Sequence, residues 1–181
     1  AAPAAAQQAG CGPVKVIPPF PGDRDRTHVG GSDLPEIPAL SAYPSVPPVS
    51  GPHNPVPWPA GVYAKPPPID RAIHSLEHAA VIIWYDPSVA SDPQLARIRQ
   101  FFARGDQRNH VIVAPYNYPD EGAAGHLPAN AHLALAAWHR LQLCNGVDLA
   151  PAYAFVNQYR FDLYRIWDYR GDAPEKWFAP V

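Results

Sequence analysis

Four histidines and one glutamate carry the chemistry-bearing spacing of this chain. His74 and His78 stand four apart in IHSLEHAAVII. On a short helix their rings share one face about a turn apart, the arrangement a metal ion requires of two ligands from one element. His53 lies in SGPHNP, where Pro52 and Pro55 restrict the backbone and lower the cost of ordering a third ligand. His28, in RTHVGG, is the fourth candidate, set before two glycines that permit close backbone approach. Neutral imidazole suits Zn, Cu(II), Ni and Fe, whereas Cu(I) favours sulfur, and the chain contains no Met. Glu77 reads either as a salt-bridge or cap partner or as an acceptor or acid/base group of the site. His110, His126, His132 and His139 read as surface groups or satisfied core residues.

Two other readings use the same region. His74-Ser75-Leu76-Glu77-His78 fits H-x-x-E-H, the inverted zinc peptidase pattern, with Glu77 as general base and a water at the open zinc position. That motif belongs in a long helix, but the strand-like AVIIWY follows at once, so the helix must end by Ala79 or Ala80. A zinc-dependent hydrolase is therefore the alternative. The second alternative needs no metal: Trp58, Tyr63, Tyr85 and Tyr116 around a proline-fixed groove would bind a small ligand or a protein partner. Tyr85 or Tyr116 beside the histidines would add a phenolate or an oxidation relay.

The elements that must position these groups divide near residue 68. Between Pro13 and Pro68 the chain carries 16 of its 25 prolines, which excludes helix or interior strand over most of that stretch. Tyr43, Trp58 and Tyr63 have large apolar faces, so this half is expected to wrap the core. Ala79 to Tyr85 is a short apolar run ended by Asp86-Pro87 and reads as a buried central strand. Ser91 or Asp92 caps a helix with Pro93 in its first turn, Leu95, Ile98 and Phe102 inward, and Gly105 as its stop. His110 to Ala114 is a second strand. Leu133 to Leu143 has a period nearer two than 3.6 and reads as strand, with helix as the competitor. Asp148 to Tyr159 reads as a capped helix with Phe155, Val156 and Tyr159 inward. The expected fold is α+β: a small single domain over 13–181 with a mixed or antiparallel sheet and two to three helices. Segment 13–68 is its proline-rich wrap, 69–181 its core, and 1–12 a flexible N-terminal segment.

Length and charge narrow the function classes. The chain has 181 residues, enough for one core, and a formal charge of -2, so no global field attracts nucleic acid or acidic lipid. No run of 18 apolar residues marks a membrane span. The small, polar Ala1 to Gly10 stretch, without an initiator Met, is of the kind that follows a removed secretion signal or a lipid-anchored Cys. Cys11 and Cys144 form one possible pair, either a disulfide suited to an oxidising compartment or two buried free thiols.

Several motifs occur in order: PPVSGPH, then GVY, then HSLEHAAVIIWYDP, then YRGDAPE. Together they resemble the bacterial domain-of-unknown-function family 3105 (DUF3105) over roughly Val14 to Glu175. The resemblance maps the family's histidines onto His28, His53, His74 and His78, and its Trp before a usual Gly onto Trp138. Here His139 stands where that Gly is common, and Ala79 where Gly commonly follows the LEH segment. The resemblance implies export or membrane tethering and supplies no reaction. The reading is thus an extracytoplasmic protein, secreted, periplasmic or membrane-tethered. It would use His28, His53, His74 and His78 to bind Cu(II), with zinc as the alternative ion, for copper binding, delivery or redox chemistry.

Overall fold

The computed structural model of the chain describes residues 2–178. Its centre is a six-stranded mixed sheet in the order β1-β6-β5-β3-β4-β2. The strands are β1 Lys15–Val16, β2 Gly61–Val62, β3 Val81–Tyr85, β4 Val111–Pro115, β5 Leu133–Ala137 and β6 Arg140–Cys144. Strands β2, β3 and β4 run parallel, β5 pairs antiparallel with β3, and β6 and β1 continue that antiparallel wing. The helices are α1 Ala2–Gln8, α2 Ile69–Glu77, α3 Pro93–Phe102, the single turn α4 Gly105–Arg108, and α5 Leu149–Tyr159. The α+β class therefore holds, with four helices of seven or more residues among the described residues where two to three were expected.

Both faces of the sheet are covered, which is why β3 and β4 read as unbroken apolar runs. Ile82 and Trp84 of β3 join Ile112, Ala134 and Ala136 in one cluster, against α2 and the proline-rich half. Val81, Ile83 and Tyr85 face the other way, against Leu95, Ile98 and Phe102 of α3 and Phe155 and Val156 of α5. The caps are those the letters suggest: Asp92 accepts from the Gln94 amide and Asp148 from the Ala150 amide, both at 2.8 Å. Gly105 behaves differently from expectation. Helix α3 already ends at Phe102, and Gly105 opens the following turn, α4.

Segment 13–68 is not a plain coil. Its two ends form the edge strands β1 and β2, and between them Phe20, Leu40, Tyr43 and Val49 are buried in the core. The 133–143 stretch is strand, but a tight turn at Trp138-His139 breaks it into the hairpin β5–β6. His139 has φ +57° there, a left-handed backbone that glycine adopts without penalty. Ala79 has φ +64°, so the second position where the related pattern favours Gly is also left-handed. Cys11 and Cys144 are joined as a disulfide, which ties the segment after α1 to the end of β6 across 133 residues.

Candidate metal centre

Three chain segments bring the histidines together. Residues 27–29 and 53 run alongside each other: the Val29 amide donates to the His53 carbonyl at 2.8 Å and the His53 amide to the Thr27 carbonyl at 2.9 Å. Asn54 fastens this pair to α2, its amide donating to the Asp70 carbonyl and its side chain to the Asp70 carboxylate. Gly51 makes the approach possible. It has φ +109°, and a Cβ there would lie 2.7 Å from the Tyr43 ring. As a result the His28, His53 and His74 rings lie 4.8 to 5.1 Å apart, and His78 lies 4.7 Å from His74.

Hydrogen bonding decides which nitrogen each ring presents. His53 Nδ1 lies 2.8 Å from the Gly51 carbonyl and His74 Nδ1 lies 2.6 Å from the Asn54 carbonyl. A carbonyl only accepts, so both Nδ1 atoms carry protons, and in the neutral rings both Nε2 atoms carry lone pairs. This is the arrangement by which backbone carbonyls orient metal-ligating histidines. His53 Nε2 then faces Glu77 Oε2 at 3.0 Å, and neither atom makes a well-formed hydrogen bond although both are buried. Two lone-pair-bearing atoms can face each other in a dry interior only with a cation between them, either a second proton on His53 or a metal ion.

Glu77 is 1% exposed in its side chain, and Arg26 Nε donates to its Oε1 at 2.5 Å. Burial opposes the charge on Glu77, but the adjoining His53 ring and the Arg26 guanidinium outweigh it and hold the carboxyl below the usual carboxylate range. Burial lowers the His74 pKa, and the neighbouring His53 and His78 act in the same direction against the pull of the Asn54 carbonyl. The ring is thereby kept in the neutral form that ligation needs. His28, His53, His74 and Glu77 each bring a ligand atom within 4.8 Å of the others, and so do His74, His78 and Glu175. The four histidines therefore form two overlapping groups rather than one.

Arg26 and Glu175 escaped the sequence reading. Glu175 closes the YRGDAPE motif but is 97 residues from His78 in the chain, and its only local signal is that motif. The aromatic candidates are engaged in other contacts. Tyr85 and Tyr116 are buried, with their hydroxyls spent on Arg99 and the Tyr63 carbonyl and on the Ala124 carbonyl. Burial also raises the Tyr116 pKa, which opposes a phenolate. Trp58 packs under the Arg71 guanidinium and beside Tyr63, whose hydroxyl donates to the Pro59 carbonyl. Trp58 meets α2 through its backbone, its amide and carbonyl both bonding to the Ser75 hydroxyl beside His74.

The family described as Protein of unknown function (DUF3105) matches residues 39–165. The chain belongs to this family. The match is shorter than the Val14 to Glu175 span that the motifs suggest. Within DUF3105 the matched region holds His53, His74, Glu77 and His78, while Arg26, His28 and Glu175 lie outside it. No curated protein and no solved structure matches the chain.

Proposed function

We propose that this DUF3105 chain is an extracytoplasmic metal-binding protein that holds one divalent ion on His28, His53, His74 and Glu77, with Cu(II) the preferred ion and zinc the alternative. The observation that carries this reading is the buried, opposed pair of His53 Nε2 and Glu77 Oε2, a gap of 3.0 Å that asks for a cation. Three imidazoles and one carboxylate suit Cu(II), Ni(II), Zn(II) and Fe(II), and Cu(II) binds nitrogen sites most strongly among these ions. The disulfide agrees with an oxidising compartment, and no helix among the described residues is long and apolar enough to cross a membrane.

Glu77 fits the role of ligand better than that of general base, because its two oxygens face Arg26 and His53 rather than an open position for water. Binding and delivery are accordingly favoured over hydrolysis. The exposed Tyr164, Trp167, Trp177 and Phe178 offer an extracytoplasmic protein partner an apolar surface on the segments that flank Glu175. The deciding experiment is metal analysis of tag-free protein, followed by electron paramagnetic resonance of the Cu(II)-loaded form. A three-nitrogen signal that is lost in His74→Ala supports the assignment; a wild-type chain that takes up no Cu(II) or Zn(II) at micromolar concentration refutes it.

A further inference from the structure

We propose that His74, His78 and Glu175 form a second, outer metal station that shares His74 Nε2 with the inner group, so that a single ion occupies one station or the other. The proposal rests on the inner group being a metal site, as read above.

The geometry of the outer station is as tight as that of the inner one. His78 Nε2 lies 2.9 Å from His74 Nε2 and 3.0 Å from Glu175 Oε2, and His74 Nε2 lies 3.8 Å from that same oxygen. The His74 Nδ1 proton is committed to the Asn54 carbonyl, so the ring has one lone pair to give and can ligate one ion. An ion held by His74 is therefore completed either by His28, His53 and Glu77 or by His78 and Glu175. The side chains differ in access to water: His53 and Glu77 are 0% and 1% exposed, His78 and Glu175 12% and 21%. The inner group also reaches water through His28, which is exposed, so an arriving ion meets either that ring or the His78 and Glu175 pair before the buried His53 and Glu77. Moving inward, it keeps His74, exchanges one carboxylate for another and gains an imidazole, so the ligand charge is unchanged and the donor set grows.

Arg26 ties the two stations together. Its Nε donates to Glu77 Oε1 at 2.5 Å and its Nη2 lies 3.1 Å from Glu175 Oε1. Each carboxylate thus gives one oxygen to Arg26 and turns Oε2 toward the imidazoles. The Glu175 amide also donates to the Glu77 carbonyl at 3.1 Å, which clips the C-terminal segment onto the end of α2.

The test is Cu(II) binding by tag-free protein, measured by competition with a chelator and by electron paramagnetic resonance. Wild type should take up one equivalent. His53→Ala should still take up one, about a hundredfold more weakly, with a spectrum showing fewer nitrogen ligands. Adding Glu175→Gln to His53→Ala should weaken binding at least tenfold further. His53→Gln, which keeps a polar group against Glu77, replaces the alanine variant where circular dichroism shows that the latter has lost its fold. The outer station is refuted, with the metal-binding reading intact, when wild type binds but Glu175→Gln has no effect in the His53 background. Two equivalents in wild type refute the sharing of His74. No binding by wild type refutes the metal-binding reading and the proposal with it.

Discussion

His53 Nε2 stands 3.0 Å from Glu77 Oε2 with both side chains shut off from water, and the backbone carbonyl of Gly51 holds the imidazole in that direction. His53 and Arg26 together hold Glu77 as a carboxylate, so removing the ring leaves that buried charge to the half-exposed Arg26. Breaking a buried ion pair costs roughly 3 to 5 kcal/mol, and the remaining Arg26 contact places His53→Ala at the lower end, about 3 kcal/mol. Urea unfolding in the presence of a chelator measures this, and a loss below about 1 kcal/mol would contradict the pairing.

Metal affinity should fall with acidity. Protons compete for the same lone pairs, so binding weakens as pH drops through about 6.5, the ordinary histidine value, with bound metal moving the midpoint lower. His74, whose pKa burial has lowered, yields its lone pair to protons later than an ordinary histidine. Titration calorimetry with Cu(II) from about pH 8 to about pH 5 checks this, and a constant affinity over that range would reject a histidine-built site.

A separate pH dependence belongs to His139 and Asp25, whose Nε2 and Oδ2 are 2.7 Å apart. The hydrogen bond to Asp25 raises the His139 pKa above its ordinary 6.5 despite partial burial. The stability it contributes is fully present below pH 6.5 and is lost as pH rises through the higher, folded value. For Asp25, burial opposes the charge, but bonds from His139, Ser50 and the Phe20 amide prevail and lower its pKa below 3.8. That contribution is present above pH 3.8 and is lost as pH falls through the folded value. His139→Asn tolerates the left-handed backbone and removes the charge. The stability gap between wild type and this variant should be widest between pH 3.8 and 6.5 and should narrow on both sides, as read by urea midpoints across pH.

Reduction of the Cys11–Cys144 bond should be costly, because it releases a loop of 133 residues in the unfolded chain. The loop-entropy relation puts the loss at about 5 kcal/mol. Thermal unfolding with and without reductant measures the change, and mass spectrometry should find no alkylatable thiol before reduction.

The elements around the site are legible in the chain because their signals are local. Asp92-Pro93 followed by Leu95, Ile98 and Phe102 specifies α3, and the VIIWY run specifies β3, whatever else the chain does. The Trp138-His139 turn is harder to see, since a histidine occupies a left-handed position that letters would normally mark with Gly or Asn. Strands β1 and β2 are two residues each, too short for any periodicity, and exist only through their pairing with β6 and β4.

By itself the sequence determined the donor types, the one-face spacing of His74 and His78, and the apolar strands on which the fold is built. Tertiary structure alone decided that His28 and His53 lie side by side, that the Glu77 carboxylate turns inward, and that Arg26, bound to that carboxylate, also reaches Glu175, 149 residues further along the chain. The physical reason is that periodicity and capping act over a few residues. The convergence of side chains on one point depends on which distant segments share backbone hydrogen bonds, and no local spacing encodes that.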